Sequence, residues 1–282
     1  MDGTLSQDGE LNPDSVARAV GKENKAEFSV PSLVEMRPPA LCEGCGHRDM
    51  YTVLTQVLKE EYPTYKVFSD IGCYTLGANA PFNAINSCVD MGASITMAKG
   101  ASDAGLHPAV AVIGDSTFMH SGMTGLAGVA YNASNSTVII LDNSITGMTG
   151  HQHNPTTGYN IKGDPAAKID LEALCHALGI RRVRVVDPYD IKACETAVKE
   201  ELAVDEPSVI ISRRPCALLK YVKHKAPLRV DRDACRSCKA CMRLGCPAIS
   251  MKAGKASVDT TLCVGCGLCQ SLCAFGALKG DA

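Results

Sequence analysis

The stretch "AVAVIGDSTFMHSGMTGLAGVAYNASNSTVIILDN", Ala109 to Asn143, decides how this chain folds. A short apolar run reaches Gly114-Asp115-Ser116, a glycine-rich segment of helical length follows, and a second apolar run ends in Asp142-Asn143. Runs without polar alternation are strands buried on both faces, the setting that a parallel sheet covered by helices provides. The pattern extends outward: "YKVFS" (65–69), "RVRVV" (182–186) and "SVIIS" (208–212) read as further strands, and segments 48–60, 91–105, 121–133 and 190–203 have helical length. This predicts an α/β fold of βαβ units on a mostly parallel, doubly wound sheet, whose ligands bind at the carboxyl ends of the strands.

Two of those strand ends carry oxygen ligands. Magnesium takes about six oxygens in near-octahedral geometry and is usually held by few protein groups plus phosphate. Asp115 and Asn143 with a diphosphate would fill that shell. Gly114 lets the backbone approach closely, and the Gly147–Gly150 turn, with Met148 and Thr149, offers backbone N–H groups to phosphate. The bland alternative is an ordinary crossover with Gly-Asp at a turn.

The chain has 282 residues and 15 cysteines, eight of them between Cys235 and Cys273. They fall in two repeated runs, "VDRDACRSCKACMRLGC" (230–246) and "VDTTLCVGCGLCQSLC" (258–273). The spacings are Cys235-x2-Cys238-x2-Cys241-x4-Cys246 and Cys263-x2-Cys266-x2-Cys269-x3-Cys273. Each half is too small for a hydrophobic core of its own, so something other than apolar burial must hold it. Three thiolates at x2 spacing suit one corner of an iron–sulfur cube, whereas structural zinc uses paired C-x2-C units. A charged stretch with a proline, 223–231, marks the boundary before these runs. The expected domains are a linker or extension over 1–36, with one short helix starting at Asn12-Pro13, a sheet domain over 37–226, and a cysteine-rich domain over 227–282.

The repeat resembles the bacterial two-cluster ferredoxin domain. In that family the fourth cysteine of each run ligates the other cluster, which implies Cys235, Cys238, Cys241 and Cys273 for one [4Fe–4S] cluster and Cys263, Cys266, Cys269 and Cys246 for the other. The 109–150 stretch resembles the thiamine diphosphate signature, G-D-G followed after about 25 residues by N-N, with 25 residues here between Ser116 and Asp142. It implies that Asp115, Asn143 and the Ile145 carbonyl bind Mg²⁺; Ser116 replaces the third glycine and Asp142 the first asparagine. Over about residues 37–282 the chain resembles the thiamine-dependent 2-oxoacid:ferredoxin oxidoreductases, and within them the C-terminal part of the large (alpha) subunit of indolepyruvate:ferredoxin oxidoreductase. The residues that carry this are "RPPALCEGCGHR", "SDIGCYTLG", "LDNSITGMTGHQHNP", "RRPCALL" and the appended repeat. A lone C-x2-C at Cys42 and Cys45 would fit zinc, a redox dithiol or packing, but the family implies a third [4Fe–4S] cluster near the thiamine, held by Cys42, Cys45, Cys73 and Cys216. Cys88, Cys175 and Cys194 are expected in the core, and His47, His151 and His153 as local hydrogen-bonding residues.

The resemblance implies oxidative decarboxylation of a 2-oxoacid, an aryl pyruvate such as indolepyruvate, to an acyl-coenzyme A, with electrons leaving through the clusters to ferredoxin. It also implies a separate pyrimidine-binding domain, which 282 residues leave no room for, and hence a split subunit or fragment assembling with that domain and with a gamma/beta-type subunit in a hetero-oligomer. An electron-transfer subunit with a purely structural thiamine-like domain, and a non-oxidative decarboxylase, are the competing readings. The net charge of −2 gives no electrostatic reason to expect nucleic acid or an anionic membrane. The N-terminus lacks the blocks of a signal peptide, and no apolar run approaches ~18 residues, so a cytoplasmic location is expected.

Overall fold

The computed structural model describes residues 4–5, 11–22, 31–34 and 39–280, and the chain divides into two units, Met1–Pro38 and Pro39–Ala282. In the first unit α1 (Pro13–Ala19) starts where Asn12 and Pro13 predict. The Asn12 side chain accepts from Ser15 N at 2.9 Å and satisfies one of the unpaired N–H groups of the first turn.

In the second unit the elements alternate: α2 (Gly46–Glu61), β1 (Lys66–Ser69), β2 (Ser87–Cys88), α3 (Ala93–Asp103), β3 (Ala109–Gly114), α4 (Asp115–Thr117), a π turn (Phe118–Gly122), α5 (Met123–Tyr131), β4 (Thr137–Asp142), α6 (Leu171–Ala177), β5 (Arg182–Val186), α7 (Ile191–Leu202) and β6 (Ser208–Arg213). The six strands form one sheet in the order β2-β1-β3-β4-β6-β5, and every pairing is parallel. All positions of β3 and β4 are buried, as are five of the six in β6, which explains the unbroken apolar run in the middle of each.

Alternate residues of these strands serve different faces. Val110, Val112, Ile139, Leu141 and Ile210 pack against α2 and α7, while Ala111, Ile113, Val138, Ile140 and Ile211 pack against α3, α5 and α6. Cys194 and Cys175 lie in these two cores as expected. Cys88 does not: it ends the two-residue edge strand β2 and is exposed, its thiol donating to the Asp70 carbonyl at 3.5 Å.

The cysteine-rich segment contains β7 (Arg229–Val230), a 3₁₀ turn (Ala240–Leu244), β8 (Ile249–Lys252), β9 (Lys255–Val258), α8 (Leu268–Ser271) and β10 (Leu278–Lys279). Antiparallel pairs β7–β10 and β8–β9 frame it. Its halves interlock with a two-fold logic. Asp231 N donates to the Ala277 carbonyl at 2.7 Å, and its counterpart Asp259 N donates to the Ala248 carbonyl at 2.8 Å. Each half therefore completes the other's backbone hydrogen bonding, and their shared core includes Leu228, Leu244, Ile249, Leu268 and Leu278. Among the described residues no helix is long and apolar enough to cross a membrane.

Candidate cofactor and metal sites

Four adjacent strands deliver their carboxyl ends to one place. Cys73 begins the 3₁₀ turn (Cys73–Ala78) after β1, Asp115 follows β3, Asn143 follows β4 and Cys216 follows β6. Between them lies a hollow of about 520 Å³ lined by Asp115, Ser116, Asn143, Ile145, Met148 and Thr149, the positions singled out in the sequence. Gly114 also lines it, for a reason unlike the expected one: a Cβ there would stand 2.6 Å from the ring of Tyr74, which fills that space itself.

Asp115 is only 2 % exposed. Its Oδ2 accepts from Asn154 Nδ2 at 3.1 Å and lies 3.2 Å from the Thr156 hydroxyl, so neutral donors hold it in place. Burial, and then the nearby Asp142 carboxylate, push its pKa up to about 7. A buried carboxyl of this kind, beside an Asn side chain and a turn carbonyl, has the hard-oxygen chemistry that Mg²⁺ requires. Asn143 Oδ1 accepts from Ile145 N at 3.2 Å in a tight Asx turn, which orients the turn bearing Ile145. Asn154 and Thr156 were missed in the sequence. The one signal was the Asn-Pro-Thr-Thr cluster at 154–157, which reads as turn chemistry and points to nothing 39 residues upstream.

The two departures from the thiamine signature have structural partners. Thr146 Oγ1 donates to Ser116 Oγ at 2.8 Å, tying the β3 end to the β4 loop where a glycine could not. Asp142 faces Arg213 in the β4–β6 register, and the guanidinium Nε meets its Oδ2 at 2.8 Å, so the extra carboxylate is paired.

One of the four dispersed thiols stands in the wall of the same hollow. Cys73 lines it, with Sγ 3.4 Å from the point where a Cβ of Gly147 would stand. Its pKa is raised by burial and then by the thiols of Cys216 and Cys42. Cys45 is pushed up to about 12, chiefly by burial, and it too is close enough to be influenced by Cys42 and Cys216. Cys216 is held from behind, its N–H donating to the Asn143 carbonyl at 2.8 Å, and its thiol lies 3.8 Å from His151 Nε2. Buried thiols with raised pKa values are poor free nucleophiles and become thiolates when a metal takes the proton's place. His47, 5 % exposed, lines the hollow too, and burial lowers its pKa to about 4, so the imidazole is neutral. His153 stacks obliquely on Tyr159 with ring centres 5.0 Å apart.

The eight clustered thiols fall into two further hollows. Cys235, Cys238, Cys241 and Cys273 line one of about 370 Å³; Cys246, Cys263, Cys266 and Cys269 line another of about 450 Å³. The last cysteine of each run thus stands with the other run. Leu228 N donates to Cys263 Sγ and Ala277 N to Cys273 Sγ, both at 3.4 Å, so a backbone N–H points at each sulfur. Among the described residues no three His, Cys, Asp or Glu side chains converge on a point as for one metal ion. The thiols surround space instead.

The family profile described as "Thiamine pyrophosphate enzyme, C-terminal TPP binding domain" matches residues 70–212. The chain belongs to the thiamine pyrophosphate enzymes. Those residues run from the end of β1 to β6 and include every wall of the 520 Å³ hollow except His47. Among curated relatives, the chain is 39% identical over 298 residues to "Indolepyruvate oxidoreductase subunit IorA" of Pyrococcus horikoshii, covering 94% of this chain and 45% of that protein. The subunit of the same name from Methanothermobacter marburgensis is 36% identical over 290 residues, covering 100% of this chain and 47% of that protein. The chain thus spans about half the length of these relatives. The resemblance to the 2-oxoacid:ferredoxin oxidoreductase branch of the thiamine pyrophosphate enzymes, read from the sequence, is borne out. A solved 2-oxoglutarate:ferredoxin oxidoreductase from Magnetococcus marinus shares the fold, with a TM-score of 0.58 at 19% identity, over 67% of this chain and 68% of that one.

Proposed function

We propose that the chain is the thiamine- and cluster-binding part of a 2-oxoacid:ferredoxin oxidoreductase acting on an aryl pyruvate such as indolepyruvate. The observation that carries this reading is the continuity of the sites: Cys73 lines the hollow that holds Asp115 and Asn143, and Cys216 donates its N–H to the Asn143 carbonyl at 2.8 Å. An electron source and an electron acceptor side by side are what oxidative decarboxylation needs, and a plain decarboxylase has no use for the second.

Bound thiamine diphosphate would supply the electron sink for loss of CO₂ from a 2-oxoacid. The chain's own residues do the rest of the holding. Asp115, Asn143 and the Ile145 carbonyl would bind Mg²⁺, and the 147–150 turn, with Met148 and Thr149, would meet the diphosphate. Asn154 and Thr156 fix the Asp115 carboxylate, so the site is organised before the cation arrives. The thiols of Cys42, Cys45, Cys73 and Cys216 would hold a [4Fe–4S] cluster beside the cofactor. The two four-thiol hollows of the terminal segment suit two more, in a domain of the two-cluster ferredoxin kind. Electrons would leave to a ferredoxin and the acyl group to coenzyme A, with a pyrimidine-binding domain and a second subunit type supplied by other chains.

Iron, sulfide and thiamine analysis of the native complex tests the assignment: three cubes require about twelve irons per chain. Cys216→Ala should lower iron towards about eight, leave CO₂ release in place and stop ferredoxin reduction. A wild-type content near eight irons, or a variant that reduces ferredoxin at the normal rate, would sink the relay through the dispersed cysteines.

A further inference from the structure

Arg48, the third residue of α2, is 2 % exposed, yet no carboxylate is hydrogen-bonded to it among the described residues. Its guanidinium is spent on four backbone carbonyls. Nη2 donates to the Leu41 carbonyl and, at 2.8 Å, to that of Cys42; Nη1 donates to the Leu244 carbonyl at 2.6 Å and to that of Gly245. The first two belong to the loop that carries Cys42. The second two immediately precede Cys246. One side chain therefore clamps the loop of the dispersed thiols to the loop of the terminal segment. The Gly245 corner has no room to give, since a Cβ there would stand 2.5 Å from Pro81.

The charge is as informative as the clamp. Burying a cation against neutral carbonyls alone is costly, and such groups are found beside anions. Glu43 and Asp49 line the same hollow as Arg48, yet its hydrogen bonds all go to carbonyl oxygens and none to either carboxylate. Sulfur flanks Arg48 as well. Arg48 lines the hollow of Cys246, Cys263, Cys266 and Cys269, and on its other side its Nη2 holds the carbonyl of Cys42 itself. It has no place in the hollow of Cys235, Cys238, Cys241 and Cys273.

We infer that Arg48 is the positioning residue of the relay: it fixes the distance between the cluster of the dispersed cysteines and the nearer terminal cluster, and its charge, paired with the anionic thiolates of both, makes these two easier to reduce than they would otherwise be. The inference rests on the cluster assignment above. One electron leaves the first cluster, which is oxidised, and enters the second, which is reduced; no proton moves and no bond breaks at Arg48. The far terminal cluster, out of reach of this charge, is the exit.

Two substitutions in the full chain, assembled with its partners, separate the clamp from the charge. Arg48→Met removes both, while Arg48→Lys keeps the charge and loses the fork that spans four carbonyls. Midpoint potentials would be read for each cluster by redox titration with electron paramagnetic resonance, beside iron content and hydrogen exchange. In Arg48→Met the potentials of the two flanking clusters should fall while that of the Cys235–Cys238–Cys241–Cys273 cluster stays put. In Arg48→Lys all three potentials should stay near wild type, while exchange over 40–46 and 240–246 quickens. An iron-replete Arg48→Met with unchanged potentials, or with all three lowered alike, overturns the assignment. Should Arg48→Met not retain iron, Arg48→Lys decides: wild-type potentials support the role of the charge, and lowered ones overturn it. A wild type with only about eight irons would defeat the cluster assignment rather than the clamp. Exchange in Arg48→Lys would then test the clamp, and unchanged protection over the two loops would overturn it.

Discussion

Asp115 sits under the end of β3 with Asn154 and Thr156 as its donors, while the nearby guanidinium of Arg213 goes to Asp142 instead. Removing the carboxylate in Asp115→Ala should abolish measurable binding of Mg²⁺–thiamine diphosphate in titration calorimetry while iron content stays normal; undiminished binding would refute the site. Thr156→Val is subtler. Its hydroxyl lies 3.2 Å from Asp115 Oδ2 and 2.6 Å from Asn154 Oδ1, with a single proton to give, so it orients the ligand without being one. Loss of such an outer partner typically costs about 10–100-fold in metal affinity. An affinity within twofold of wild type would show that Asn154 alone suffices. Asp115 and Asn143 were legible because each closes an unbroken apolar run. Asn154 and Thr156 were not, because their meaning lies in a fold-back of 39 and 41 residues that no local pattern encodes.

Among the elements, β3, β4 and β6 were readable for the reason that makes them stable: with both faces covered, the middle of each strand is an unbroken apolar run. The edge strand β2 is two residues long and half polar, and the seven residues of α6 give less than two turns of periodicity, so neither stands out. The helical run after β3 begins at Asp115, six residues before the expected start at 121, because Gly114 ends the strand and the π turn Phe118–Gly122 carries the chain into α5. Such turns interrupt helices at functional sites. The β4–β6 register sets Asp142 opposite Arg213, one residue before Asn143. Arg213→Met would leave the Asp142 carboxylate without its cation, held only by the Ser144 N–H and hydroxyl, beside Asp115. Because Arg213 is 38 % exposed, the loss should be about 1–2 kcal/mol, smaller than for a fully buried pair. Thermal melts of the ligand-free chain should show a drop of several degrees that narrows at high salt; a salt-independent drop would assign the effect to packing of the Arg213 stem.

At the scale of the whole molecule, the cysteine-rich segment and the sheet owe their stability to different things. The sheet has two cores whose buried residues come from strands and helices on both faces. The terminal segment has ten buried residues in its core, three of them cysteines that the proposed clusters would engage. Its two halves share hydrogen bonds across the pseudo-two-fold, yet each of its paired sheets is only two strands wide, too little to stand alone in water. The repeat announced this in the sequence by its length. What it could not announce is the docking, in which Lys225 N donates to the Val264 carbonyl at 3.2 Å, and Gly44 packs so closely that a Cβ would stand 2.5 Å from Val264. If clusters supply the missing cohesion, binding of iron is part of the folding free energy of this segment alone. Chelating iron under reducing conditions should therefore strip hydrogen-exchange protection from residues 229–280 while β3, β4 and β6 stay protected. Thiamine diphosphate should still bind, since Asp115 and Asn143 belong to the sheet. Protection that survives iron removal over 229–280 would mean that apolar packing and the interlocked halves carry the segment without the clusters, and a simultaneous loss in the sheet would mean that the docking contacts bind both parts into a single cooperative unit.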